Sequence, residues 1–246
     1  MNSENWLHYF QHNRLNRPEP DWSQRFPEDE CTAAELANSF AHFQLGESGE
    51  GACLLRAAAR RYVDDLAYQE ALALFIAEEK EHARLLARLV ERFGGRLIRS
   101  HWTHSLFRLF RQALGVRFEI QVLVTAELVG TAYYRVLARR VRDRVTEEVC
   151  QLILRDEARH VEFHLERLVA DQQLWLPIER ALWATQFQAL FLAALEVAWI
   201  DHRHVLQKLG ASRSEFVREA RRETGAFLAR LVSASSRAEL QRPAEF

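Results

Sequence analysis

The chain contains few prolines, cysteines and lysines. The scarcity of proline bears on the fold, and that of cysteine bears on metal and redox motifs. Only five prolines occur among 246 residues, and none lies between Pro27 and Pro177. A proline-free span of that length, rich in Ala, Leu, Arg and Glu, favours helices. We see no β-hairpin pattern, and the length suits one large domain with a full core. The sequence therefore predicts an all-α fold in a single domain.

Cysteine usage and charge exclude several partners. Cys31, Cys53 and Cys150 lie far apart and form no metal or redox motif. An odd cysteine count without a signal peptide predicts a reducing, cytoplasmic setting. A net charge of −1 gives no bulk attraction to nucleic acid or anionic lipid. The longest apolar run, residues 189–200, contains Glu196, and we expect it to be too short and too polar for a bilayer.

A Glu-x-x-His motif occurs twice, at Glu79 and His82 and again at Glu157 and His160. Residues three apart lie on one face of a helix, so the carboxylate and the imidazole of each motif can bind the same metal. One copy would mean little, because the spacing arises by chance in many helices. Here the motif occurs in two helical segments, and shifting one segment along the sequence places Glu79 on Glu157 and His82 on His160. The two copies predict a paired metal site.

The helix before each motif carries a glutamate near its middle, Glu50 and Glu127. In an antiparallel hairpin, residues equally far from the turn share a height. The midpoint of Glu50 and Glu79 falls at the predicted turn, which brings them level. Glu47, one helical turn away on the same face, competes with Glu50. Glu127 lies on an apolar face, where an unpaired carboxylate is costly, so a metal is its expected partner.

The predicted organisation has three parts within one domain. Residues 1–45 form an N-terminal arm and a short helix with Thr32 as N-cap, residues 46–174 form the metal-binding bundle, and residues 175–246 form C-terminal helices. The four bundle helices are predicted at about 50–63, 66–93, 116–141 and 146–174, with a crossover at 94–115. Further helices are predicted to begin at Pro177 and after Ser212, the latter ending near Val232.

The six ligands give the chain a resemblance to the ferritin-like di-iron carboxylate superfamily over about residues 47–170. The metal ligands that this resemblance implies are Glu50, Glu79, His82, Glu127, Glu157 and His160. It implies a ferritin-like four-helix bundle with a long crossover, holding two iron ions or a manganese–iron pair. Glu79 and Glu157 would bridge the metals, and Glu50 and Glu127 would each bind one metal.

Residues 155–160 are also similar to the fourth-helix motif of ribonucleotide reductase small subunits. In that family the aspartate supports a histidine ligand, so Asp156 is expected to hold His82 by its non-ligating nitrogen. The radical tyrosine of that family lies four residues after the second-helix histidine, where this chain has Leu86. A tyrosyl-radical reductase subunit is therefore not expected.

Other polar residues near the motifs have two interpretations each. His164 is either a second-shell donor to the metal site or a hydrogen-bonded core histidine, and Glu119 either lines a pocket or forms an ion pair at its rim. Tyr133 and Tyr134 are interpreted as core. Glu78 and Glu162, beside the motifs, are expected to face solvent or to form ion pairs.

Three functions compete at this stage. The first is a di-iron oxygenase or oxidase that acts with O₂ and an electron donor on a small apolar or amphipathic organic molecule, as a monomer or homodimer. The second is iron oxidation or peroxide removal, as in ferritin or rubrerythrin. The extra C-terminal helices and the lack of rubredoxin-type cysteines argue against the second. The third is a metal-free helical binding protein.

Overall fold

The computed structural model describes residues 1–25, 29–49, 51–101 and 115–240, and within these ranges it contains helices and turns but no strand. The prediction of an all-α chain is confirmed. The predicted crossover at 94–115 falls largely on residues 102–114, which lie outside the described residues. The helices are α1 (Ser3–Leu15), α2 (Glu30–Glu47), α3 (Ala52–Arg61), α4 (Leu66–Arg92), α5 (Val116–Ala138), α6 (Arg144–Gln172), α7 (Pro177–Lys208) and α8 (Arg213–Leu240).

Aspartates begin three of these helices. The side chain of Asp65 accepts a hydrogen bond from the Tyr68 backbone N–H at 3.1 Å, as the sequence predicted for α4. Asp143 caps α6 in the same way. Asp29 caps α2 by accepting from the backbone N–H of Thr32 at 3.0 Å. The predicted N-cap at Thr32 was therefore wrong, because a better acceptor precedes it by three residues.

The largest departure from the predicted bounds lies between α2 and α3. The helix predicted to run from Glu50 is the shorter α3, which begins at Ala52, and α2 extends to Glu47. Gly51 takes a left-handed φ of +63°, and a Cβ atom there would lie 2.4 Å from Cδ1 of Ile76. Only glycine satisfies both conditions at this position.

Helix α2 runs antiparallel to α4. Ala37 contacts Gly95 so closely that a Cβ on the glycine would lie 2.6 Å from the alanine Cβ. At the other end, Gly51 meets Ile76. Later residues of α2 therefore lie beside earlier residues of α4. The last turn of α2 lies level with the middle of α4.

The antiparallel helices α2 and α4 make up the first hairpin. Helices α5 and α6 form the second hairpin, joined by a short turn that ends at Asp143. Helix α4 packs on α6 and thereby joins the two hairpins, while α1 packs on α4. Helices α7 and α8 pack on α5. Trp183, Phe187 and Phe191 of α7 are buried, as the sequence predicted. The C-terminal helix α8 extends to Leu240, beyond the predicted end near residue 232.

Among the described residues, α7 is the one helix long and apolar enough to cross a membrane. The apolar run seen in the sequence is only part of this longer helix. Length and composition alone support this property weakly, since core helices of soluble proteins share it. One face of α7 packs against the bundle through Trp183, Phe187 and Leu195, while Leu182 and Leu192 are exposed.

Candidate metal centre

The two Glu-x-x-His motifs meet inside the bundle. Glu79 and His82 of α4, with Glu157 and His160 of α6, each place one ligand atom so that all four atoms lie within 4.8 Å of one another. Both histidines are fully buried and Glu157 is nearly so. This buried group could hold a metal ion.

The two motif glutamates lie between the histidines. Nδ1 of His160 is 3.0 Å from Oε1 of Glu79 and 3.6 Å from Oε2 of Glu157. Nδ1 of His82 is 3.4 Å from Oε1 of Glu157 and 3.7 Å from Oε1 of Glu79. Each glutamate therefore faces the Nδ1 atoms of both rings.

Two further glutamates approach this group. Oε2 of Glu127, on α5, lies 3.5 Å from Nδ1 of His160. Burial raises the pKa of Glu47, on the last turn of α2, and the charges of Glu79, Glu157 and Glu127 raise it further. The Glu47 carboxyl group thus faces the same space. Glu50, the first-helix ligand predicted from the repeat, lies outside the described residues.

Several buried polar atoms at this centre have no well-formed hydrogen bond. They are Oε1 of Glu79, Nδ1 of His82, Oε2 of Glu127, Oε2 of Glu157 and Nδ1 of His160. A buried polar atom without a partner costs about 1–3 kcal/mol. Because these atoms face one another across a short distance, a cation among them would satisfy them together. The donor set therefore fits a metal.

The opposite nitrogen of each histidine contacts an acid on the other hairpin. Nε2 of His82, on α4, lies 3.3 Å from Oδ2 of Asp156 on α6. Nε2 of His160, on α6, lies 2.9 Å from Oε2 of Glu78 on α4. Both acids are buried, and each immediately precedes the motif glutamate of its own helix. Glu78 was expected to face solvent or to form an ion pair, and its place against His160 was missed.

The N-terminal arm connects these two acids. The Asn13 side chain donates to Oε1 of Glu78 and, at 3.2 Å, to Oδ1 of Asp156. The Arg17 guanidinium pairs with Asp156, and its NH1 lies 3.7 Å from Oε1 of Glu78. No periodic pattern in the sequence indicates either residue, because the arm lies outside the repeat.

The charges of the centre shift its pKa values in opposite directions. Burial raises the pKa of Glu127, and the nearby charges of Glu157 and Glu79 raise it further. Burial would also raise the pKa of Glu157, but the nearby Glu127 carboxyl group and the two histidines hold it well below its usual value. Burial opposes protonation of His82, yet Asp156 and Glu157 raise its pKa to about 9.

The remaining candidates occupy different surroundings. His164 is buried, with Nε2 4.0 Å from Oε1 of Glu127 and its ring against Phe75. Glu119 is buried as well. Glu162 forms the expected surface ion pairs, with Arg159 and with a second arginine on α8.

Both tyrosines are core residues, as the sequence predicted, but only one is hydrogen-bonded. The Tyr133 hydroxyl lies 2.6 Å from Oγ of Ser39. The Tyr134 hydroxyl is buried with no hydrogen-bond partner, and the charges of Glu47 and Glu157 add to the rise in its pKa caused by burial. Tyr134 therefore borders the metal centre.

No protein-family model, curated protein or solved structure matches this chain. The functional argument therefore depends on the geometry of the site.

Proposed function

We propose that the chain is a ferritin-like protein that holds two iron ions and uses O₂ to oxidise a small apolar or amphipathic organic molecule. The observation that carries this proposal is the convergence of four carboxyl groups and two imidazoles on one buried space. They belong to Glu47, Glu79, Glu127, Glu157, His82 and His160. Carboxylate-rich sites with imidazole suit iron or manganese.

Charge balance supports two cations rather than one. Four ionised glutamates offset two divalent ions when both histidines are neutral ligands. Around them, Glu78 and Asp156 are offset by Arg17, and Arg155 adds a second cation, with its NH2 3.0 Å from Oδ1 of Asp156. Buried charges are tolerated when they are paired in this way. With a single ion, Glu47 and Glu127, whose pKa values are raised by burial, would have to be protonated.

Glu79 and Glu157 would be ligands to both ions, because each faces the Nδ1 atoms of both histidines. With Glu78 and Asp156 accepting the Nε2–H of His160 and His82, the Nδ1 lone pairs would be available as metal ligands. The acids therefore set both the tautomer and the orientation of the ligand rings.

If bound here, two ferrous ions would supply the electrons that O₂ chemistry on an unactivated bond requires. The protein's own part is to exclude water around this space. The Phe75 ring meets His160 edge-on at 4.7 Å between centroids, and Phe10 of α1 packs beside it at 6.2 Å. An apolar wall of this kind limits side reactions of the bound oxidant.

The C-terminal helices favour an enzyme over an iron store. A storage protein assembles from many bundles whose faces remain free to pair. Here Trp183 and Phe187 of α7 stack at 5.1 Å, and Phe187 stacks on Phe227 of α8 at 5.7 Å. These helices cover α5, so that face is occupied within the chain.

The test is anaerobic reconstitution with ferrous iron followed by exposure to O₂. We expect two iron ions per chain and rapid O₂ consumption, accelerated or redirected by an apolar ligand and sustained by a reductant. A large hollow assembly that mineralises hundreds of irons would support iron storage instead. A chain that binds no iron would support the metal-free binding protein.

A further inference from the structure

A second group of metal-binding side chains lies outside the Glu and His centre. It consists of His42 on α2, His101 in the segment after α4, and Asp201 on α7, each with one ligand atom within 4.8 Å of the others. The two imidazole rings lie 4.3 Å apart between centroids. Nδ1 of His101 is 3.9 Å from Oδ2 of Asp201. We propose that these three side chains bind one divalent cation of the zinc type.

His42 supplies the clearest evidence for a missing partner. Its Nδ1 atom is buried and has no hydrogen bond among the described residues. Burial and the neighbouring His101 lower the pKa of His42, although Asp201 opposes them. These surroundings favour the neutral ring, which can offer a nitrogen lone pair to a metal. A cation at this position would satisfy a nitrogen that otherwise carries a desolvation cost.

Among the described residues, a further histidine near this group is already engaged. His202 lies 6.1 Å from His42 between ring centroids, and its Nδ1 is 2.8 Å from Oγ of Ser39. Phe43 stacks on the His202 ring at 4.3 Å. Burial holds the pKa of His202 down at about 3, so it is a neutral part of the wall. The part of the chain that the structure describes then offers three ligands, and because the group is only partly buried, water can complete the coordination.

Two imidazoles and one carboxylate form a donor set used for zinc and for ferrous iron. Donor atoms that bind one zinc ion at 2.0–2.2 Å lie about 3–4 Å apart. Side-chain rotations that move the three ligand atoms by about 1 Å would therefore bring them to these distances. This set is richer in nitrogen than the Glu and His centre. It therefore favours zinc more strongly than the carboxylate-rich centre does.

The three ligands belong to three separate segments, so a bound cation would cross-link α2, the residues following α4, and α7. His42 also lies five residues before Glu47 on the same helix, a rise of about 7.5 Å. The cation would thus fix the end of α2 that carries a residue of the Glu and His centre. We expect zinc to raise the melting temperature of the protein through this cross-link.

The experiment counts zinc bound to the full-length chain by equilibrium dialysis and metal analysis. His42→Ala, His101→Ala and Asp201→Asn should each bind one zinc fewer than the wild type. His204→Ala is the matched control, since His204 is exposed on the same helix as Asp201. It should bind as the wild type does, and zinc soaked into crystals should give an anomalous peak between His42, His101 and Asp201.

A variant that lacks both motif glutamates distinguishes this zinc site from the Glu and His centre. The Glu79→Ala, Glu157→Ala double variant should retain one zinc, and adding Asp201→Asn should remove it. Asp201→Asn keeps the size of the side chain, so it remains informative if His42→Ala folds poorly by circular dichroism. Unchanged zinc binding in folded Asp201→Asn, with no anomalous peak at the cluster, would overturn the proposal whatever the iron experiments show.

Discussion

The Glu and His centre has two halves, one formed by α2 and α4 and the other by α5 and α6. The halves are alike in the acids that contact their histidines, but they differ in α2 and α5, the helices that carry Glu47 and Glu127. In each half an acid that precedes the motif glutamate holds the histidine of the other half, Glu78 with His160 and Asp156 with His82. Glu127, however, lies near the middle of the continuous α5, whereas Glu47 is the last residue of α2, separated by four residues from Ala52, where α3 begins. The difference teaches that a metal-ligand repeat constrains where carboxylates meet rather than how the helices that carry them run.

The largest expected effect on iron binding comes from removing Glu79 and Glu157, which face the histidines of both halves. The Glu79→Ala, Glu157→Ala double variant should bind almost no iron after ferrous reconstitution, because both bridging carboxylates are lost. Total metal analysis measures this directly. The matched control is Glu81→Ala, Glu162→Ala, which removes two acids beside the motifs that pair with arginines at the surface. If the first variant still bound two irons, the ligand assignment would be wrong.

A smaller loss should follow when one half alone is damaged. Glu47→Ala and Glu127→Ala should each retain about one iron per chain, since the other half keeps its own glutamate and histidine. Glu50→Ala is the informative comparison. The contacts of Glu47 with the centre predict that Glu47→Ala has the larger effect, and the opposite order would support the ligand predicted from the repeat.

The repeat predicted most of this site because it depends only on local helical spacing. Glu79, His82, Glu127, Glu157 and His160 come together as their spacing required. The shift that relates the two motifs also aligns Glu78 with Asp156, so the role that the resemblance implies for Asp156 could have been extended to Glu78. It was not extended, because an acid beside a motif on a helix more often faces solvent.

Other parts of the site could not be predicted from periodicity. Asn13 and Arg17 reach Asp156 from an arm more than a hundred residues away in sequence, and no helical pattern encodes that contact. The position of Glu47 depends on where α2 ends, and Gly51 directs the chain just beyond that end, where it begins α3 close to Ile76. The sequence shows a glycine there but not which side chain it must approach.

The outer acids provide a finer test of the likeness between the halves. Asp156→Asn and Glu78→Gln should each weaken metal binding about 10- to 100-fold, because the contact that orients one histidine is lost. Each variant should affect a different metal, so titration with ferrous iron should show one tight and one weakened site. Equal weakening of both sites in either variant would contradict the reciprocal arrangement.

The smallest expected effect is at Tyr134, on the same helix as Glu127. Its hydroxyl is buried without a partner, so Tyr134→Phe should leave the free energy of unfolding unchanged or raise it by up to about 1 kcal/mol. Tyr133→Phe, which removes the bond to Ser39, should cost about 1 kcal/mol. Urea denaturation of the metal-free protein compares them. A larger loss in Tyr134→Phe would show that its hydroxyl has a partner.

The measurement that tests the central claim most directly is the Mössbauer spectrum of protein reconstituted with two equivalents of ⁵⁷Fe and then exposed to O₂. Two ions held between Glu79 and Glu157 should give a magnetically coupled ferric pair with no net spin, accounting for nearly all the iron. A spectrum of isolated ferric ions, or of an iron mineral, would contradict a dinuclear centre.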